Sequence, residues 1–207
     1  MNASPASPAS PASSVELNAR QQRIVDALRP FFGAEADALY EANGRSLQKL
    51  AYSARQSALP SFRRLATGLA LAQELLCEEL TTRSVFDTPT AVADFLKLHF
   101  AGQPYESFVV LFLDSRSSLI AFEEMFRGTL SQTSVYPREV LKRVLHHDAA
   151  AILVAHNHPT GCTEPSPADK ALTRVLRDAL NLIDVQLLDH WIVAGGQTLS
   201  FVQRGLL

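Results

Sequence analysis

Residues 149–155 read Ala-Ala-Ala-Ile-Leu-Val-Ala, an unbroken apolar run followed at once by His-Asn-His-Pro. The run is far shorter than the roughly 20 residues a membrane helix needs. It has the length of a strand, and a strand with no polar alternation must be covered on both faces, as an interior strand of a helix-flanked sheet is. The rest of the chain from about residue 88 is read around that strand. Thr88-Pro89 resembles an N-cap and first-turn proline opening a helix to about Phe100. After Gly102-Gln103-Pro104 the period changes to strands over 108–114 and 119–126, joined by a polar turn at 115–118, which makes a hairpin. Pro137 opens a helix ending near His147, and Ser166-Pro167-Ala168-Asp169 opens another running to about Leu180. Final strands are expected over 185–188, 191–194 and 199–202, the last two joined at Gly195-Gly196. The sum is an α/β domain with a mixed sheet flanked by helices.

The front of the chain has a different rhythm. From Val15 to about Leu80 apolar residues such as Ile24, Leu28, Leu47, Leu50, Leu65, Leu69 and Leu76 recur at three- and four-residue spacing, with breaks at Pro30, Gly33, Gly44 and Pro60. We read residues 15–82 as a small all-helical domain and residues 88–207 as the α/β domain. The Ala-Ser-Pro repeats of residues 1–14 read as a disordered tail, without the basic start and apolar core of a secretory signal. Cys77 and Cys162 form no metal or disulfide pattern, so a cytoplasmic setting is expected, and no segment suits a membrane. Formal net charge is −2, with ten basic and ten acidic residues over 1–105 and nine and eleven over 106–207. That balance excludes a broad nucleic-acid footprint and leaves room only for a local, weak one.

The chemistry concentrates behind the apolar run. Side chains two apart on a strand point the same way, so His156 and His158 can present both imidazoles to one point. Pro159 and Gly161 turn the chain out of the sheet, and the following helix can return the carboxylate of Asp169 to that point. Two histidines and an aspartate give three protein ligands and leave one tetrahedral position for water, the arrangement of a catalytic zinc site. Nearby histidines alone usually serve other ends, but a His-x-His-Pro-x₆-Ser-x₂-Asp string arises by chance on the order of 10⁻⁷ times per position. Cys162 as a fourth ligand would close the open position, so we exclude it.

That string matches the JAMM motif of MPN-fold metalloproteases, and His-Asn-His-Pro-Thr-Gly resembles the bacterial RadC subfamily, with Thr160 where that subfamily has serine. Residues 106–114 and 123–129, Tyr136-Pro137-Arg138-Glu139 and Leu187-Leu188-Asp189-His190 resemble RadC segments in the same order, so the likeness covers roughly residues 90–207. The resemblance implies an MPN fold with cytidine-deaminase-like layering and a Zn²⁺-dependent hydrolase acting on a peptide or isopeptide-like amide of an unknown protein substrate. It implies a glutamate base at the start of the first strand, matched by Glu106, fifty residues before His156; Glu123 and Glu124 on the second hairpin strand compete for the role. It also gives Ser166 the task of stabilising an oxyanion, for which helix capping is the competing use. His146, His147 and His190 are expected to serve at the surface, at a helix end or behind the ligands, and His190, beside Asp189 in a segment that resembles RadC, is the first candidate for the last of these.

RadC proteins carry an N-terminal helix-hairpin-helix element whose Gly-hydrophobic-Gly turn offers amides to DNA phosphate. Residues 58–64 of this chain read Ala-Leu-Pro-Ser-Phe-Arg-Arg and lack those glycines, so the element is degenerate and any nucleic-acid binding is expected to be weak. Two other functions remain open: a DNA-repair nuclease or accessory enzyme using the same metal, and an MPN module that keeps zinc without turnover. The letters His-Asn-His are no support for the former, because HNH nucleases spread those residues over a ββα unit.

Overall fold

A computed structural model describes residues 17–128 and 135–207; the tail expected over 1–14 lies outside the described residues. The chain opens with α1 (Ala19–Phe32), a 3₁₀ turn (Gly33–Glu35), α2 (Ala36–Ala42), α3 (Leu47–Gln56) and α4 (Pro60–Thr82). Asn18 and Gln21 form a reciprocal capping box at the start of α1. Pro30 was expected to break this helix, and the structure corrects that: α1 runs on to Phe32. A proline in the last turn removes one backbone bond, and burial of Leu28 and Phe32 against Val25, Tyr40, Leu50 and Phe62 holds the turn in place.

Helix α5 (Pro89–His99) leads into β1 (Ser107–Leu113) and β2 (Leu119–Arg127), then α6 (Pro137–His146), β3 (Ala151–Asn157), α7 (Pro167–Asn181), β4 (Gln186–Ala194) and β5 (Gln197–Ser200). Pro89, Pro137 and Pro167 each occupy a first-turn position. Thr88 precedes α5 as expected but does not cap it; its hydroxyl donates backwards to the Ser84 carbonyl at 3.0 Å. Among the described residues the strands form one sheet in the order β2-β1-β3-β4-β5, antiparallel except for the β3/β4 pair. Parallel neighbours need a crossover, and α7 supplies it.

Strand β3 lies at the centre and is buried along its whole length. Its odd-numbered residues and those of β1 face α4 and α5, in a cluster containing Val109, Leu111, Leu153, Phe95 and Leu80. The even-numbered residues face α6 and α7, in a cluster containing Phe108, Val110, Val154, Val144 and Leu176. Both layers are required by the apolar run.

Two strand expectations need correction. Residues 185–188 and 191–194 form one strand, β4, with a register irregularity where Ile152 and Leu153 pair with Leu187 and Asp189. The strand continues through Asp189 and His190 because both polar side chains find buried partners, described below. Strand β5 is Gln197–Ser200, earlier than 199–202, and it follows β4 directly through Gly195 and Gly196, whose φ values of +56° and +83° suit a two-residue hairpin turn. Helix α3 docks on the end of α5 at Gly102, where a Cβ would stand 2.1 Å from the Gln48 carbonyl oxygen. Arg55 reinforces the contact by donating to the carbonyls of Leu98 and His99 at 2.6 and 3.2 Å.

Candidate metal centre

His156 is the last even-numbered residue of β3, so alternation sends its ring to the α7 side, next after Val154. His158 follows the strand end, and its amide still bonds the Val193 carbonyl at 2.9 Å, which extends the strand direction by one residue. The chain then turns, with Gly161 at φ +88°. Ser166 caps α7 in a reciprocal box with Asp169: its hydroxyl oxygen accepts from the Asp169 amide at 3.1 Å, while Asp169 Oδ2 accepts from the Ser166 amide and hydroxyl at 2.7 Å each. The cap therefore fixes one carboxylate oxygen of Asp169 and leaves Oδ1 facing His156.

The three side chains meet. His156 Nε2 lies 2.9 Å from His158 Nε2, Asp169 Oδ1 lies 3.3 Å from His156 Nε2, and Asp169 Oδ2 lies 3.6 Å from His158 Nε2. Their side chains are only 3%, 16% and 12% exposed for His156, His158 and Asp169, so water is largely shut out of the cluster.

The hydrogen-bond network assigns the ring protons. Thr173 Oγ1 donates its single hydrogen to the Asp169 carbonyl at 2.7 Å, so towards His190 Nδ1, also at 2.7 Å, it can only accept. His190 therefore carries its proton on Nδ1 and offers a lone pair at Nε2. His156 Nδ1, 2.8 Å from that atom, must be the donor. On the other side His158 Nδ1 donates to the Cys162 carbonyl at 2.7 Å. Both histidines are thus left with Nε2 lone pairs, and these lone pairs face one another. Two acceptors at 2.9 Å beside a carboxylate repel unless a positive charge, a proton or a metal ion, lies among them.

A tetrahedral zinc with bonds of about 2.0–2.2 Å would set its ligand atoms about 3.3–3.6 Å apart. The distances from His156 to Asp169 Oδ1 and from His158 to Asp169 Oδ2, 3.3 and 3.6 Å, fall in that range, and the imidazole pair at 2.9 Å is a few tenths of an ångström closer, so the donor set fits such an ion in chemistry and, after a small parting of the two rings, in spacing.

The shifts express the same demand in terms of protons. Burial raises the cost of charge on Asp169, but the hydrogen bonds that a proton on Nε2 of His156 or His158 makes to it outweigh that cost and hold the carboxyl well below its usual range. The same bond to Asp169 pushes His158 up, so without a metal ion a proton is the positive charge this cluster favours. Burial pushes fully enclosed His190 far below its ordinary value, so it is neutral, as its role between Thr173 and His156 requires.

Glu106 directly precedes β1 and shares the parity of Phe108, which places it on the face that carries His156. Its charge acts on His158. Its two rivals are engaged elsewhere. Glu123 accepts from Arg143 Nε and His147 Nε2, both at 2.7 Å, and the Arg143 bonds pull its pKa down to about 2. Glu124 lies opposite Val109, on the α5 face, with His99 Nε2 at 3.5 Å. The structure thus gathers His156, His158 and Asp169, sets Glu106 on their face, and ties Glu123 and Glu124 to other helices. Ser166 acts as the cap, with its hydroxyl hydrogen on Asp169. Cys162 enters through its main-chain carbonyl, and its side chain is free and exposed.

Thr173 was not foreseen, although its place four residues after Asp169 on one helix face was a readable signal. Nor was the use of Asn157, to which we return. Asp189 is also structural: it accepts from the His190 amide, the Ser200 hydroxyl and the Val202 amide, pinning the end of β5 behind the centre. On the far side of the ligand loop a cleft of about 890 Å³ opens between this domain and α3, lined by Gln48, Lys49, Tyr52, Gln103, His158 and Gly196 among others. Among the described residues no helix is long and apolar enough to cross a membrane.

Comparison with known proteins adds the lineage. The family model for the RadC-like JAB domain matches residues 86–206. A UPF0758 protein of Paracidovorax citrulli (strain AAC00-1) is 51% identical over 188 residues, covering 87% of this chain and 74% of that protein. UPF0758 proteins of Variovorax paradoxus (strain S110) and Acidovorax sp. (strain JS42) are 57% and 58% identical over 139 residues, 67% of this chain. Those alignments span 62% and 58% of the two relatives, so the chain matches about three-fifths of their length.

Proposed function

This chain belongs to the RadC family of JAB-domain proteins, and on that premise we propose that it is a zinc-dependent hydrolase that cleaves a peptide or isopeptide-like amide. The observation that carries the reading is the pair of Nε2 lone pairs converging on each other beside the Asp169 carboxylate, an arrangement that calls for a cation. His156, His158 and Asp169 would hold the ion. When bound, zinc supplies a Lewis acid that polarises a carbonyl and brings the pKa of water towards about 7.

The protein's own groups do the rest. Glu106 accepts a proton from the attacking water and passes it to the leaving amine nitrogen, a task typically worth about 10²- to 10⁴-fold. His190 and Thr173 hold His156 in the tautomer that keeps Nε2 free. The Ser166 hydroxyl needs only to turn its hydrogen away from Asp169 Oδ2 to donate to a developing oxyanion. The cleft against His158 offers a partly enclosed space of mixed polar and apolar lining in which an extended substrate segment can lie.

The test joins metal analysis to an activity screen over peptides, isopeptides and nucleic acids. About one zinc per chain is expected, lost from Asp169→Ala and from the His156→Ala/His158→Ala pair, because too few donors remain. Glu106→Gln should keep its zinc and fold while hydrolysis of a peptide or isopeptide falls by about 10²-fold or more. Full zinc occupancy in the double histidine variant would overturn the site, and cleavage confined to nucleic acids would overturn the substrate class.

A further inference from the structure

We propose that Asn157, the residue between the two histidines, is the positioning residue for Glu106, fixing the base to the ligand strand through its side-chain amide. The inference rests on the hydrolase reading for its kinetic consequence and on geometry for everything else.

The antiparallel pairing of β1 with β3 runs from Leu113↔Ala151 to Phe108↔His156 and stops there. In that register the next residues opposite one another are Ser107 and Asn157. Their backbones do not continue the ladder. Instead the Asn157 side chain takes the place of a peptide group: Oδ1 accepts from the Ser107 amide at 2.8 Å, and Nδ2 donates to the Tyr105 carbonyl at 2.9 Å. Those two groups belong to the peptide units on either side of Glu106. The Glu106 carbonyl is held from the other flank by the Gly128 amide at 2.8 Å. The main chain that carries the proposed base is thus gripped on both sides, and the grip from the metal side comes from a residue with a ligand before it and a ligand after it.

Asn157 is 4% exposed, and Ser107 is fully buried, so neither bond competes with bulk water. The side chain points to the α5 face, away from His156 and His158, which excludes it as a ligand of their ion. A primary amide offers a donor and an acceptor at once, which a hydroxyl, a carboxylate or an aliphatic group of this size cannot do in the same geometry. Ending the backbone ladder at His156 and finishing it with a side chain sets the separation between the Glu106 backbone and the ligand pair by one short, stiff connection. Placement of a reacting group within about 1 Å is worth on the order of 10²-fold in rate.

The experiment is a double-mutant cycle with a structural readout that needs no turnover. In zinc-loaded protein, Asn157→Ala should leave metal content unchanged and speed hydrogen exchange of the Ser107 amide at least tenfold, because its acceptor is gone. On the peptide or isopeptide substrate it should lower kcat about 10- to 100-fold with KM little changed. In a Glu106→Gln background the same substitution should cost nothing further, since a positioning residue has no effect once the group it positions is disabled. Asn157→Asp retains the acceptor for Ser107 and sets an oxygen against the Tyr105 carbonyl; it should fall between, and it serves as the reporter if the alanine variant does not fold. Loss of zinc from a folded Asn157 variant would overturn the inference, as would unchanged Ser107 exchange or an equal loss of rate with and without Glu106. If no amide substrate is found, the hydrolase reading fails by itself, and the exchange measurement still decides whether Asn157 anchors this segment.

Discussion

Along β1 and β3 the side chains facing α4 and α5, Val109, Leu111, Leu113, Leu153 and Ala155, and those facing α6 and α7, Phe108, Val110, Phe112, Ile152 and Val154, are alike in apolarity and burial. The rows part company one residue further on. On the α5 face the next residue is Asn157, whose donor and acceptor are both engaged by the backbone around Glu106. On the α7 face the next are His156 and then His158, whose Nδ1 atoms are committed and whose Nε2 lone pairs oppose each other. A buried polar group whose donor and acceptor atoms both find partners in the backbone is structural. A buried pair left in electrostatic conflict needs a further charge, and that difference separates scaffold from site within two consecutive residues of one strand.

The largest effect should come from truncating the two apolar rows and asking which of them supports the centre. Phe108 is 1% exposed and its ring meets that of His190 edge-on, 6.0 Å between centroids. Phe108→Ala should cost about 3–5 kcal/mol of stability and also weaken zinc binding, because His190 loses a wall. Leu111→Ala, on the opposite face, should cost about 2–5 kcal/mol with zinc affinity unchanged in the folded protein. Denaturant melts of the metal-free proteins and zinc titrations below their unfolding transitions measure both. Equal losses of zinc affinity in the two variants would mean that the faces are not distinct in this way.

A smaller, sharper perturbation acts on the proton assignments alone. Thr173→Val keeps the volume and removes the acceptor that holds the His190 proton on Nδ1. His190 is fully buried and can recover a bond by moving its proton to Nε2, where it would donate to His156 Nδ1 and drive the His156 proton onto the atom that should bind metal. Zinc affinity should then fall about 10- to 100-fold, the range typical of groups that orient a ligand, with little change in the helix. Cobalt substitution and competition against a chelator read the affinity directly. Wild-type affinity in Thr173→Val would remove the argument that the tautomer of His156 is set from behind.

The parts of this arrangement that were legible in the sequence are the local ones. The apolar run, the three first-turn prolines and the His-x-His spacing each depend on neighbours within a few residues, and each appears in the structure where it was expected. What was misread depends on distant partners. Asp189-His190 looked like an interruption between two strands because charge and imidazole rarely sit inside a sheet; they do so here because Ser200, Val202, Thr173 and His156 satisfy them. Thr88 looked like a cap, yet its hydroxyl found the Ser84 carbonyl instead. Asn157 drew no reading at all, since nothing local announces that the backbone opposite it lies fifty residues earlier.

The smallest effect expected concerns the other carboxylate on the α6/α7 side of the sheet, and it separates an ion pair from a base. Glu123 shares that face with Phe108 and Val110 but is clasped by Arg143 of α6 and by His147, the residue that ends that helix. The hydrogen bonds from Arg143 are the main cause of its pKa of about 2, against an ordinary value of 4.5. A carboxyl whose pKa is lowered by folding stabilises the native state at pH values above the ordinary pKa, and the contribution fades as pH falls through the folded value. Glu123→Gln should therefore cost about 1–2 kcal/mol near pH 7, less than the full shift would imply because the pair is partly exposed. The difference from wild type should begin to close below about pH 4.5 and be nearly gone by pH 2. Zinc content and hydrolysis should stay at wild-type levels throughout the range where the protein is folded and loaded. Thermal melts from pH 2 to 7, paired with turnover at pH 7, check both halves. A Glu123→Gln protein that is as stable as wild type but inactive would move the base from Glu106 to β2 and erase the distinction between the two carboxylates.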